Sequence, residues 1–316
     1  MLELRIWHHF VTDTYQSLLQ SIPGANDAWK NALLELALSG KTYLADAILA
    51  ISALHLQSLN PNDTALELAS HVYSASALAD YRSSLTGGID EENAEALLLT
   101  ACLIAFKATA SRILINAKRD ESHTGYPLPL AWFHAFQGIK TIAAVSWPWV
   151  SNSATVGAVI NSQIVFQLDF SFQCSNSFFG HLLEDVEDEF LSEDPLVNSM
   201  SQQGYVHAVS VLNWAHQSPY PLAALAFPAA VSNRFVQLLE AKQPRALAIV
   251  ACFFALLKRI ERVWWLGDVA RREVTGIIGM FKPGSAWWRH LEWPIPDCAV
   301  GWRRRWHPGL CLGCRV

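Results

Sequence analysis

Apolar side chains recur every three or four residues along most of this chain, which is the spacing of amphipathic helices. The stretch TYLADAILAISALHLQSLNP at 42–61 shows the pattern, with His55 near the end of its apolar stripe. Thr42 is expected to cap the start of this helix, and Pro61 follows its end. The stripe predicts a helix whose apolar face lies in the core or along the wall of a pocket.

The same spacing predicts further helices over 2–20, from Asp63 or Thr64 to 85, from Asp90 as N-cap, from Ala131 to Pro148, and in several segments after 205. Residues 96–106 and 246–257 are apolar on every face, as expected of helices at the centre of a bundle. Residues 162–180 fit either strand or irregular structure, and no repeat of solenoid length is present. The sequence predicts an all-α fold: a single large helical domain with apolar central helices and an internal pocket.

We expect this domain to cover residues 1–301. Residues 302–316 lack periodicity and contain three consecutive arginines, which predicts a basic, disordered tail.

Composition narrows the classes of function. Hydrophobic residues make up 52% of the chain, only 16% is charged, and the net charge is −5. A chain of this charge has no general attraction for phosphate backbones, so we expect no direct nucleic-acid binding. The apolar run 246–257 is too short to span a bilayer, which takes about 18 residues or more, and the N-terminus does not have the pattern of a secretory signal. The predicted location is intracellular.

The cysteines do not form a pattern that binds zinc. They stand at 102, 174, 252, 298, 311 and 314, and only Cys311 and Cys314 have the spacing of metal ligands. His181 and Asp185, four residues apart in an acidic stretch, could in principle hold a metal ion, but a solvated loop is the preferred interpretation. We therefore predict no metal and no cofactor.

Two groups of motifs, in a fixed order, carry a likeness to a known family. YLADAILAISALHL, ASHVYSASALADYRSSL and NAEALLLTACLIAF follow one another in the first half of the chain. AFPAAVSNRFVQLLEAKQPRALAIVACFFALL, VWWLGDV and WWRHLEWPIPDCAVG follow in the second half. Together they resemble the regulatory domain of fungal zinc-cluster transcription factors of the sterol uptake control type.

Some positions depart from that family's pattern. Cys252-Phe253 stands where members often have His-Tyr, and Gly267-Asp268-Val269 stands where they have Gly-Trp-Ala. The basic block of six closely spaced cysteines that binds DNA in such regulators does not occur in this sequence.

The resemblance implies a ligand-binding regulator of transcription that senses a sterol, or a terpenoid-like or polyketide-like molecule, in an apolar pocket. It further implies a homodimer, a place in the nucleus rather than the cytoplasm, a link to secondary-metabolite biosynthesis, and a partner protein that binds DNA. Candidate pocket residues are the large apolar or aromatic side chains of the most apolar helices. They are Ile48, Ile51, His55, Phe106, Trp132, Phe136, Phe253, Phe254, Leu257, Trp264 and Trp265.

Two other functions remain open. The same pocket could serve a cofactor-free cyclase or pericyclase that holds an apolar chain in a reactive shape. The chain could also be a dimerising scaffold. The sequence contains no Gly-rich phosphate loop, HExxH or dinucleotide fingerprint, so we assign no catalytic residue. His55 is expected to be a core histidine bonded to a backbone carbonyl.

Overall fold

A computed structural model describes residues 1–18, 25–117, 126–153, 156–157, 178–190 and 194–295. Within these ranges the ordered elements are helices and turns, and no strand is present, so the prediction of a large all-α domain is confirmed. The predictions for 162–177, for the tail 302–316, and for Cys174, Cys298, Cys311 and Cys314 lie outside the described residues.

The α-helices are α1 (Leu2–His9), α2 (Tyr15–Leu18), α3 (Ala25–Leu38), α4 (Thr42–Leu59), α5 (Thr64–Gly87), α6 (Ala94–Ala117), α7 (Leu130–Val150), α8 (Pro195–Gln217), α9 (Phe227–Ala230), α10 (Asn233–Glu240), α11 (Pro244–Leu256) and α12 (Val269–Ile278). A π-helical turn, Phe10–Thr14, joins α1 to α2. Short 3-10 turns lie at Gly180–Leu183, Asp188–Phe190, Pro221–Ala226, Leu257–Ile260, Trp264–Leu266 and Ala286–Leu291.

The chain divides into two compact units. Of the described residues, the first unit contains those within 1–117, 129–157 and 262–267. The second unit contains those within 126–128, 178–261 and 268–295.

In the first unit, α4 is the central helix. It packs against α1, α3, α5 and α6, and every side chain from Ala47 to Gln57 is buried. The predicted central position of 96–106 also holds, because α6 packs between α4 and α7 and buries most of that segment.

One described helical segment, Ala94–Leu114, is long and apolar enough to cross a membrane by length and composition. Its most apolar window has a mean hydropathy of 1.7, and 56% of that window is buried inside the structure. The bent pair Pro221–Ala230 and Asn233–Glu240 passes the same test only if the two pieces are taken together.

Two predicted helix starts differ in the structure. Thr42 is the first residue of α4 rather than its N-cap, and its hydroxyl donates to the Asp80 carboxylate at 3.0 Å. Asp90 accepts the N–H groups of Glu92 and Asn93 in a turn, so α6 begins only at Ala94. A short polar side chain can bond the nearest free N–H groups in a turn as well as in a cap, which spacing alone does not distinguish.

Two further differences concern helix interiors. Pro148 does not end α7, which continues to Val150, because a proline in the exposed last turn removes only one hydrogen bond. The helix predicted over 2–20 is interrupted by the π-turn at Phe10–Thr14. By contrast, the predicted start of α5 is confirmed, since the Asp63 carboxylate accepts the N–H of Leu66 at 3.3 Å.

In the second unit, α11 is the central helix. Every side chain from Arg245 to Leu256 is buried, and the helix packs against α8, α10 and α12. Pro244 occupies its first turn, where a missing N–H breaks no bond. Fully burying a Val, Leu, Ile or Phe side chain contributes about 1.5–3 kcal/mol, so this helix is a main source of the unit's stability.

Arg245 is the buried cation of this helix, only 3% exposed. Its guanidinium donates to the Glu189 carboxylate at 2.5 Å, to the carbonyl of Glu184 at 2.9 Å, and to the carbonyl of Leu182. It also lies over the rings of Tyr205 and Trp287, 5.8 and 5.2 Å from their centroids. Arg245 therefore fixes the acidic segment 182–189 to α11.

We predict that Arg245→Lys lowers the free energy of unfolding by about 3 kcal/mol, because one ammonium cannot replace a planar group that bonds three oxygens. Arg271→Lys is the matched control: Arg271 pairs with Asp268 on an exposed surface, and its loss should cost about 0.5 kcal/mol or less. Urea unfolding followed by circular dichroism measures both. Equal losses would contradict the anchoring role of Arg245.

A glycine in α12 is required by a close contact. The ring of Tyr126 lies against Gly276, where a methyl group would overlap it, and the Tyr126 hydroxyl donates to the buried Glu273 carboxylate. Because the hydroxyl is anchored, the ring cannot easily move aside.

We predict opposite effects of the same substitution at two helical glycines. Gly276→Ala should lower the free energy of unfolding by about 1–3 kcal/mol through overpacking. Gly138→Ala, in α7 with open space around it, should raise that free energy by about 0.5–1 kcal/mol because alanine favours the helix. Thermal unfolding of both variants tests the pair, and a stable Gly276→Ala would show that the contact is not tight.

Candidate functional site

A cluster of polar side chains lies inside the apolar first unit. His55 comes from α4, His9 from the last turn of α1, and Thr14 from the end of the π-turn. His55 Nδ1 lies 3.0 Å from Thr14 Oγ1 and 3.2 Å from His9 Nε2. All three residues are buried, so this group is a buried polar cluster of the unit.

Trp264 covers one face of this cluster. Its indole ring stacks on the His55 ring with a centroid distance of 4.5 Å and an interplanar angle of 14°. Its Nε1 donates to Ser17 Oγ at 2.9 Å, and the neighbouring Trp265 Nε1 donates to the carbonyl of Leu18 at 3.2 Å. The two tryptophans thus hold the end of α2 beside the histidines.

The environment keeps both histidines neutral. Burial, with the nearby His9, lowers the pKa of His55 from 6.5 to about 4. Burial also lowers the pKa of His9, although the Asp13 carboxylate, 3.3 Å from His9 Nδ1, partly opposes this shift. At neutral pH both imidazoles are uncharged, so they interact with their neighbours, the Asp13 carboxylate included, through hydrogen bonds and not as cations.

Most of the candidate pocket residues lie in the first unit. Ile48 and Ile51 are completely buried in α4. The Phe106 ring lies 4.9 Å from that of Trp265, and the Trp132 ring lies 6.2 Å from that of Phe136 on α7. His55 and Trp264 stack as described, so the structure brings these two together. The partners of His55 Nδ1 are the side chains of His9 and Thr14, so the expected bond to a backbone carbonyl is not the one observed at this atom.

The other three candidates, Phe253, Phe254 and Leu257, belong to the second unit and are completely buried there. Phe253 stacks on Phe227 at 4.7 Å and lies 4.8 Å from the ring of Phe254. The candidate set is therefore divided between the two units. Its role in binding a ligand stays a prediction.

Sequence reasoning did not find several polar groups of the first unit. His9, Thr14 and Ser17 lie on the N-terminal helical segment, and no spacing rule connects them to His55. Two other buried donors, Trp29 Nε1 and Tyr43 Oη, have no hydrogen-bond partner among the described residues. A buried donor left unpaired costs about 1–3 kcal/mol, so each calls for an acceptor.

The described residues contain no group of three or more His, Cys, Asp or Glu side chains that could hold a metal ion. His181 and Asp185, the pair considered from the sequence, have other neighbours. His181 Nδ1 lies 3.0 Å from His290 Nδ1, and the Asp185 carboxylate lies 3.6 Å from the Arg289 guanidinium.

A small cleft in the first unit holds about 20 Å³, which is room for one water molecule. Its walls are Leu54, Gln57, Glu67, Ser70, His71, Ser111 and Leu114. Pockets for small molecules measure about 300–1,000 Å³, so this cleft is a site for water and not for a lipid.

Comparison with known proteins identifies relatives of the chain. Residues 5–113 match the family model described as the fungal specific transcription factor domain. The chain is 56% identical over 301 residues to a Zn(2)-C6 fungal-type transcription factor of Gibberella zeae, covering 93% of this chain and 61% of that protein.

More distant relatives point the same way. The chain is 26% identical over 259 residues to the Zn(2)-C6 fungal-type transcription factor afumD of Aspergillus fumigatus, covering 78% of this chain and 65% of that protein. It is 23% identical over 291 residues to sterol uptake control protein 2 of Candida albicans, covering 86% of this chain and 39% of that protein. The chain thus spans less than two thirds of the length of each of these relatives.

The lowered pKa values of His9 and His55 predict an acid-sensitive fold. Below pH 6.5 these two histidines bind protons in the unfolded chain but stay neutral in the folded chain. The free energy of unfolding therefore falls as the pH falls towards 4. His55 alone accounts for a loss of about 3 kcal/mol over that range.

Thermal unfolding between pH 7.5 and pH 4, roughly the range of histidine titration, tests this linkage. His55→Asn keeps a polar atom near Thr14 but cannot bind a proton, so we expect it to be less stable at neutral pH and to lose less on acidification. The matched control is His71→Asn, on an exposed position of α5, which should keep the wild-type slope. A His55→Asn slope equal to the wild type would contradict the role of His55.

Proposed function

We propose that this chain, which carries a fungal specific transcription factor domain and is homologous to Zn(2)-C6 fungal-type transcription factors and sterol uptake control proteins, binds a sterol or similar apolar molecule and thereby regulates transcription. In this proposal the first unit binds the ligand. The protein acts as a homodimer in the nucleus and reaches DNA through a zinc-cluster domain or a partner protein.

The observation that carries the proposal is the homology. The domain match at 5–113 covers α4, α5 and most of α6, which form the core of the first unit. Two of the relatives are sterol uptake control proteins, from Candida albicans and Saccharomyces cerevisiae, at 23% and 24% identity. A common ancestry with proteins of that name supports a sterol, or a molecule of similar size and polarity, as the ligand.

The chemistry of the first unit supports the same ligand class. Its buried polar side chains are Ser, Thr, Gln and His among the described residues, and its buried aromatic side chains include Trp29, Trp132 and Trp265. Trp29 Nε1 and Tyr43 Oη are buried donors in this unit whose bonds an oxygen of a ligand could complete. The chemistry of such an interior suits a largely apolar molecule with a single hydroxyl or carbonyl group.

The first test is mass spectrometry of the gently purified chain for a co-purifying lipid, combined with thermal unfolding against a panel of sterols. We expect a stoichiometric lipid whose removal lowers the melting temperature. At 100 times its Kd a ligand adds about 2.7 kcal/mol to the free energy of unfolding. The absence of both a bound lipid and any thermal shift would contradict the proposal.

A single atom change tests whether the first unit holds the ligand. Tyr43→Phe removes only the unpaired hydroxyl, so we expect the stability of the ligand-free chain to stay the same or rise slightly. The thermal shift caused by a bound sterol should shrink, because the ligand loses a donor. Tyr220→Phe is the matched control, since Tyr220 is 51% exposed and should change neither quantity. A full thermal shift in Tyr43→Phe would exclude this hydroxyl as a ligand contact.

A further inference from the structure

The connection after α8 contains a sequence pattern that the ligand-binding proposal does not use. Among the 14 prolines of the chain, only Pro219 follows a serine or threonine, namely Ser218 in the sequence HQSPYP. A serine followed by proline is the acceptor pattern of proline-directed protein kinases. The pattern alone is short, so its value depends on how the fold presents it.

The fold presents this serine in extended backbone at the surface. Ser218 ends α8 with φ −61° and ψ 132°, and Tyr220 continues with φ −101° and ψ 109°. Gln217, Pro219 and Tyr220 are exposed, and Ser218 is half-buried. The Ser218 hydroxyl oxygen accepts only the N–H of Tyr220, at 3.2 Å, among the described contacts. Kinases bind acceptor residues in extended chain, which these dihedral angles provide.

A fixed positive charge lies beside this serine. The Arg259 guanidinium donates to the carbonyls of His216 and Ser218, at 3.3 Å each, at the carbonyl end of α8. No carboxylate forms an ion pair with Arg259 among the residues that the structure describes. An arginine that already contacts the backbone of the acceptor residue is well placed for a phosphate, because guanidinium groups bind phosphate oxygens in a planar fork.

We propose that Ser218 is a phosphorylation site of a proline-directed serine/threonine kinase, and that Arg259 binds the phosphate. In the transfer, Ser218 Oγ forms a bond to the γ-phosphorus of ATP, and the bond from that phosphorus to the bridging oxygen of ADP breaks. ADP leaves with the electron pair, and the hydroxyl proton passes to the base of the kinase. This inference is independent of the identity of any ligand.

The modification has a definite physical effect. A phosphate of charge about −1.5 to −2 at the carbonyl end of a helix is unfavourable, since that end is already negative. Arg259 offsets this repulsion, and the phosphate oxygens can still accept the Tyr220 N–H. His216 lies in the same turn and stacks on the half-exposed Phe178 at 4.4 Å. The new charge therefore changes the electrostatics of an aromatic surface made by Phe178, His216 and Trp293.

The test incubates the full chain with a proline-directed kinase and Mg-ATP, and maps phosphate by peptide mass spectrometry. We expect one phosphate on Ser218 of the wild type, none on Ser218→Ala, and a large loss in Pro219→Ala. Ser199→Ala, at an exposed serine of α8 that no proline follows, should incorporate as much as the wild type. A free peptide of residues 212–224 serves as the unfolded reference.

Two results would overturn the site. If the peptide is phosphorylated and the folded chain is not, the fold hides Ser218; if neither is phosphorylated, the pattern is not a kinase substrate. The role of Arg259 has its own readout: phosphorylation should lower the melting temperature of Arg259→Gln more than that of the wild type. Equal changes in both proteins would show that Arg259 does not bind the phosphate.

Discussion

The first unit depends on a hydrogen-bonded tie between segments 247 positions apart in sequence. The indole N–H groups of Trp264 and Trp265 donate to Ser17 and to the carbonyl of Leu18, which brings the short stretch Arg262–Gly267 into a unit otherwise built from the first half of the chain. The same Trp264 indole that donates to Ser17 also stacks on the His55 ring. If these hydrogen bonds were lost, the Trp264 ring would no longer shield the His55 imidazole from water. The pKa of His55 would then rise towards its ordinary value, because burial is what lowers it.

The second unit contains a pair of histidines, His181 and His290. The position of the proton on each ring follows from a hydrogen bond that Arg289 donates to His290. Arg289 Nε donates to His290 Nε2 at 2.9 Å, and an arginine cannot accept, so His290 carries its proton on Nδ1. That proton points to His181 Nδ1 at 3.0 Å, which must therefore accept, leaving the proton of His181 on Nε2. Burial lowers the pKa of both histidines, that of His290 to about 4. Each unit thus contains a neutral pair of histidines. In the first unit His55 contacts both His9 and Thr14, whereas His181 and His290 are oriented by Arg289 in the second.

The helices and their central or peripheral positions could be predicted because the buried face of a helix appears in the sequence as a local spacing of apolar residues. The apolar segments 96–106 and 246–257 are central helices in their units, as their composition indicates. The π-turn at Phe10–Thr14 and the continuation of α7 past Pro148 could not be predicted, since neither breaks the apolar spacing. The contacts of His55 with His9 and Thr14 join residues 46 and 41 positions apart, and one sequence carries no record of such pairing.

The distribution of buried charge differs between the two units and bears on the proposed ligand. Arg245 and Glu273 are the buried charged residues among those described, and both belong to the second unit. In the first unit, burial lowers the pKa of Lys107, His9 and His55, so a positive charge is disfavoured at each. A fatty acid would bring a carboxylate into an interior whose buried polar side chains, among the described residues, are Ser, Thr, Gln and neutral His, and burying an unpaired carboxylate is costly. A sterol, the ligand proposed above, brings one neutral hydroxyl, which needs only a hydrogen bond.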